Sequence, residues 1–172
     1  MLIAVDGYNF IKQSPELRQL EQIELQKARE ALIEQLARYK RLKGHAIIVV
    51  FDGWQAGGSA GHRGRSRGIE VIFSRTNEKA DDVLKRLSVE KREGVTIVTS
   101  DNEIAFHAEK KGSPVISAAE FAGRMEMANF YDLKGGREET ESFGRGMDTS
   151  KKGPSRRLPK SQRKTLAARK KL

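Results

Sequence analysis

An α/β protein with a central, mostly parallel sheet flanked by helices is what this sequence predicts, and three observations carry that expectation. Four short runs are dense in apolar and β-branched residues: LIAVD at 2–6, HAIIVVFD at 45–52, IEVIFS at 69–74 and VTIVTSDNE at 95–103. Between them lie segments whose apolar residues recur at helical spacing. Strands separated by helices imply right-handed crossovers and a parallel sheet covered on both faces. Finally, the runs end in acids: Asp6, Asp52 and Asp101 close the first, second and fourth, and Asp81 and Asp82 open the helix after the third.

The elements follow in order. After LIAVD, a Ser-Pro start at 14–15 opens one long helix with Leu25, Ala28, Leu32, Leu36 and Tyr39 on a face, ending at Gly44. The second strand leads into a Gly-, Arg- and Ser-rich loop, GWQAGGSAGHRGRSRG, and then the third strand. ADDVLKRLSVEKREG sets Ala80, Val83, Leu84 and Leu87 on one helical face and closes at Gly94. The fourth strand is followed by a short helix IAFHAEKKG, a brief strand PVIS, and a last helix from Ala118 to about residue 130.

The chain has 172 residues and a formal charge of +10, unevenly spread. Residues 1–133 hold 20 Lys+Arg against 19 Asp+Glu; residues 134–172 hold 13 against 4. The division predicted is a domain over 1–133 and a flexible linker with a basic tail over 134–172. From Thr149 onward there are ten basic residues and no acid, including Lys151, Lys152, Arg156, Arg157, Arg163 and Lys164, a composition suited to a polyanion. Little apolar or aromatic material accompanies the charges to anchor them in lipid, which favours nucleic acid over a membrane surface. The absence of cysteine excludes disulfides, thiolate metal sites and cysteine nucleophiles. No apolar run approaches membrane-spanning length and no secretory leader pattern opens the chain, so a cytoplasmic location is expected.

In an open parallel sheet the carboxyl ends of the strands share one edge, so acids far apart in sequence can converge there. Carboxylates gathered without basic partners repel one another, a cost that a divalent cation removes, and hard oxygen ligands suit Mg²⁺ or Mn²⁺. Each acid alone also reads as something plainer: Asp6-Gly7 and Asp52-Gly53 as turns, Asp101 as a cap, Asp81 and Asp82 as helix N-terminal acids. No GxGxxG or Walker-type loop is present, and His45, His62 and His107 are scattered. An acid-lined cation site beside basic segments suggests phosphodiester hydrolysis. Arg63, Arg65 and Arg67, alternating with small residues, are candidate phosphate contacts, and Tyr8 and Trp54 are candidate stacking surfaces for unpaired bases, although each is also a natural packing residue.

The ordered set DGYN, VVFDG, IEVIFS, ADD and VTSD over roughly residues 1–130 resembles the NYN domain family, in particular its YacP-like bacterial branch, relatives of the PIN-domain nucleases. The resemblance implies a three-layer PIN-like (Rossmannoid) fold and a metal-dependent ribonuclease that cuts single-stranded RNA internally. It also implies a role in ribosome-associated cleavage of messenger RNA. Its metal-binding acids fall on Asp6, Asp81 and Asp101, with Asn9 and Ser100 as supporting polar groups. Asp52 matches the VFDG motif, and Asp82 is left as a neighbouring acid or a helix cap. A non-catalytic RNA- or ribosome-binding protein is the alternative expectation. A haloacid-dehalogenase-type phosphatase would want an acid where Tyr8 stands, and a receiver domain a lysine that PVISAAE lacks.

Overall fold

The computed structural model describes residues 1–53, 61–75 and 77–133, together with Arg163, Leu166 and Ala167 near the C-terminus. Six strands, β1 (Leu2–Asp6), β2 (Ala46–Phe51), β3 (His62–Ser66), β4 (Ile69–Phe73), β5 (Val95–Val98) and β6 (Val115–Ile116), form one sheet in the order β3-β4-β2-β1-β5-β6. All are parallel except β3, which pairs antiparallel with β4. The sheet is therefore mostly parallel, with β1 at its centre.

Residues alternate between the two faces of each strand. Ile3, Val5, Ile47, Val49 and Phe51 point to one face, where α1 (Gly7–Gln13), α2 (Pro15–Ile23), α3 (Leu25–Lys43) and α6 (Ala118–Leu133) supply Ile11, Leu17, Leu32, Leu36, Tyr39 and Phe121. Ala4, Ile48, Val50 and Ile97 point to the other, against Val83, Leu84 and Leu87 of α4 (Ala80–Lys91) and Ile104 and Ala108 of α5 (Asn102–Lys111). Burial on both faces is why these strands read as unbroken apolar runs. The result is three layers. No helix among the described residues is long and apolar enough to cross a membrane.

Two stretches differ from the sequence expectation. The single helix expected from Ser14 to Gly44 is preceded by α1 and divided into α2 and α3. Ser14 is extended (φ −94°, ψ 116°) because a residue before proline avoids the helical region, and its hydroxyl caps the Leu17 N–H. Glu24 is extended as well, with no side-chain cap, and turns α3 back against α2. At its far end α3 stops at Gly44, whose positive φ of 69° lets its N–H bond the Lys40 carbonyl.

The second correction concerns the Arg-rich loop: His62–Ser66 is a strand. An edge strand pairs on one side only and here buries almost nothing, so no apolar pattern announced it. The two-residue turn Arg67-Gly68 has positive φ at both positions (51° and 80°), the geometry that joins twisted antiparallel strands.

Candidate active site at the carboxyl edge of the sheet

The chain leaves β1 toward β2 and β4 on one side and returns to β5 on the other, so β1 lies at a switch point of the sheet. A crevice at the carboxyl ends of the strands is expected there. Asp6 ends β1, Asp52 follows β2, Asp101 follows β5 after two residues, and Asp81 sits in the first turn of α4. The structure thus brings all four to one edge of the sheet.

Asp6 is 7% exposed and has a double role: it ends the strand and caps α1, its Oδ1 accepting the Asn9 N–H at 3.2 Å. Its Oδ2 accepts the Thr99 hydroxyl at 3.2 Å, and Thr99 Oγ1 in turn accepts the Asp101 N–H at 3.1 Å. Asn9 Oδ1 accepts the Ser100 N–H at 2.9 Å, and Ser100 Oγ accepts the Ala118 N–H at 3.2 Å. Through these bonds the β1 and β5 termini and the start of α6 are locked together. Asn9 and Ser100, expected as supporting polar groups, are bonded to one another beside Asp6. Thr99 was missed by the sequence reading, which took VTSD as a strand end with Ser100 as its polar group. The signal available was a hydroxyl two residues before an acid, whose N–H it can reach.

Asp101 uses Oδ1 to cap α5 through the Glu103 and Ile104 N–H groups, at 2.7 and 3.2 Å. Asp52 Oδ1 accepts the Ala80 N–H at 2.7 Å and so fixes where α4 begins. Asp82 caps the same helix from within, its Oδ2 accepting the Lys79 N–H at 3.1 Å. Asp81 alone of these acids has a carboxylate with no hydrogen bond among the described residues.

The electrostatics follow from this crowding. Burial pushes the Asp6 carboxyl up to about 6, further helped by Asp81 and Asp52, while the bonds from Asn9 and Thr99 pull it back. Asp81 is raised by burial and then by Asp101, with Lys85 opposing and Asp52 adding. Beyond burial, the acids feel one another, which raises Asp6 and Asp81 despite Lys85 and Lys79 near Asp81, and a hard divalent ion would relieve that repulsion. Among the described residues, however, no three His, Cys, Asp or Glu side chains stand close enough together to hold an ion as they are. The donor chemistry fits Mg²⁺ or Mn²⁺, and the carboxylates would have to draw in around it.

Three of the residues expected to contact RNA lie in the β3–β4 hairpin. Arg63 and Arg65 lie on β3, Arg63 paired with Glu70, and Arg67 is in the hairpin turn. Because β3 runs antiparallel to β4, His62 opposite Phe73 is at the acidic edge and Arg67 is at the other end of the sheet. Lys151, Lys152, Arg156, Arg157, Lys164 and Trp54 lie outside the described residues, and Arg163 is exposed. Tyr8 is not a stacking surface: it is 5% exposed and packs on Phe51 with ring centroids 5.1 Å apart.

A mostly parallel sheet in three layers, with acids at its switch point, defines the PIN-like class of α/β fold. A family model described as the YacP-like NYN domain matches residues 3–171, and the chain belongs to that family. The match continues through the segment that composition alone divides off as linker and tail. Among curated proteins, the chain is similar to one described as uncharacterized protein YacP of Bacillus subtilis (strain 168), 37% identical over 87 residues. That alignment covers 51% of each protein, so the chain spans about half the length of the curated relative it matches. Among solved structures it is similar to Rae1 (YacP) from Bacillus subtilis, at 29% identity and a TM-score of 0.63, covering 78% of each chain. A point mutant of the same protein gives 28% identity and a TM-score of 0.66, covering 77% of this chain and 79% of that one.

Proposed function

We propose that this protein is a Mg²⁺- or Mn²⁺-dependent endoribonuclease that cuts single-stranded RNA, acting in the cytoplasm on messenger RNA presented by the ribosome. One observation carries the reading. A buried Asp6 with its carboxyl raised to about 6 shares an edge with Asp81, Asp52 and Asp101, and its orientation is set by Thr99. Carboxylates raised by burial and by neighbouring acids cluster at functional sites.

Asp6, Asp81 and Asp101 would hold the ion, which when bound lowers the pKa of water and offsets charge on a phosphate. The remaining chemistry belongs to the chain. Thr99 holds the Asp6 carboxylate in one orientation, and Asn9 holds the Ser100 backbone beside it. Asp101 keeps Oδ2 clear of the helix cap and Asp81 has no hydrogen bond to either oxygen among the described residues, so each has a donor oxygen to offer. The N-termini of α4 and α5 face the same edge, and their dipoles favour a phosphate there. Cleavage would leave a 5'-phosphate and a 3'-hydroxyl.

The test is cleavage of a 5'-labelled single-stranded RNA in Mn²⁺, Mg²⁺ or EDTA, with and without translating ribosomes. Asp6→Asn and Asp81→Asn are expected to abolish cutting while RNA is still bound; full activity in both removes the assignment. The open arrangement of the acids favours a second reading, an RNA- or ribosome-binding protein without catalysis. Binding with no cutting under any of these conditions is its signature.

A further inference from the structure

We infer that Lys85 is a substrate-phosphate contact held ready by Glu103, an inference that rests on the RNA reading of the same site. Lys85 lies four residues after Asp81 on α4, so both project from one side of that helix. Its ammonium bonds the carboxylate of Glu103, two residues beyond Asp101 at the start of α5. The pair therefore spans the mouth of the acidic edge, from the helix that bears Asp81 to the helix that Asp101 caps.

Two features set this lysine apart from the surface lysines. The Lys85 side chain is only 22% exposed, whereas that of Glu103 is 77% exposed. The lysine side chain is thus largely covered while its partner stands in water. Among the described residues, Lys85 and Lys79 also act as cations on the Asp81 carboxylate, Lys85 the more strongly. An ion pair whose carboxylate stands in water contributes little, so exchanging the Glu103 carboxylate for a phosphate oxygen costs little. The ammonium that Asp81 already feels would then meet the RNA backbone immediately beside the acids. Glu103 would act as a stand-in for that phosphate when RNA is absent.

The experiment reads binding, independently of cleavage. A fluorescent single-stranded RNA is titrated in EDTA at several salt concentrations with wild type, Lys85→Met, Lys85→Arg, Glu103→Gln and, as a distant control at the far end of α5, Lys110→Gln. Each variant is first checked for an unchanged thermal melt, and Lys85→Arg supplies the answer if Lys85→Met does not fold. Lys85→Met should weaken binding several-fold, and its salt slope should flatten by about 0.7, the contribution of one phosphate contact on a single strand. Lys85→Arg should keep the slope, Glu103→Gln should bind at least as tightly as wild type, and Lys110→Gln should change little. A wild-type affinity or slope in Lys85→Met overturns the inference, as does a loss in Glu103→Gln equal to that in Lys85→Met, which would make the pair a mere strap between helices. If Lys85→Arg is the only folded variant, a changed slope in it overturns the inference. RNA held through Lys85 but never cut would remove the nuclease reading and leave this one standing.

Discussion

Thr99 donates its hydroxyl to Oδ2 of Asp6 at 3.2 Å, joining the ends of two adjacent strands that are 93 residues apart in sequence. Thr99 Oγ1 in turn accepts the Asp101 N–H, so one small side chain orients the acid of β1 and the turn that carries the acid of β5.

Removing that hydroxyl leaves a buried carboxylate oxygen and an N–H without their partner. Thr99→Val should cost about 1–3 kcal/mol in urea unfolding and lower cleavage, whereas Thr99→Ser should retain most of both. Equal stability and activity in the valine variant would mean that the Asp6 orientation is set elsewhere.

The Asp6 carboxyl makes stability depend on pH in a definite direction. Its folded value of about 6 lies above the reference 3.8, so the native state keeps a proton that the unfolded chain has released. Its contribution is fully present below 3.8 and is lost as the pH rises through about 6. In EDTA, Asp6→Asn should therefore be more stable than wild type at pH 7.5, by up to about 3 kcal/mol, and the gap should be small at pH 4. Parallel stability curves for the two proteins would contradict the burial of a charged Asp6.

Gly53 follows Asp52 and lies against β4: a Cβ there would sit 1.9 Å from the Ser74 carbonyl oxygen. The Gly53 N–H also bonds Ser74 Oγ at 3.1 Å. Gly53→Ala should push the two segments apart, destabilise the fold by about 1–3 kcal/mol, and disturb the Asp52 bond that starts α4. Chemical denaturation measures the first effect and cleavage the second.

The arginines of the β3–β4 hairpin should not contribute equally. Arg67 stands at the far end of the sheet from the acids, so Arg67→Ala should affect RNA binding less than Arg63→Ala. Deleting residues 149–172, with ten basic residues, should lower affinity more than either and flatten its salt dependence. Equal losses from the two arginines would place the RNA along the whole edge strand.

Much of this was readable in the chain. Ile3 to Val5, Ile47 to Phe51 and Val95 to Val98 announced central strands because both of their faces are buried, and acids closing such runs in a parallel sheet could converge at one edge. The strand His62–Ser66 was hidden because an edge strand of Arg, Gly and Ser buries no face that a pattern could reveal. The helix beginning at Gly7 was hidden because Asp6 looked like a turn acid, when it serves as strand end and helix cap at once. Thr99 and Lys85 were hidden for a different reason: their importance lies in contacts with Asp6 and Glu103, which no spacing in the sequence encodes.

The most direct test of the convergence of acids is a calorimetric titration of Mn²⁺ into wild type and into Asp6→Asn, Asp81→Asn, Asp101→Asn and Asp82→Asn. The account predicts binding to wild type that weakens by at least about tenfold in each of the first three variants, with Asp82→Asn affected least. No binding to wild type, or wild-type affinity in Asp6→Asn and Asp81→Asn, would contradict it.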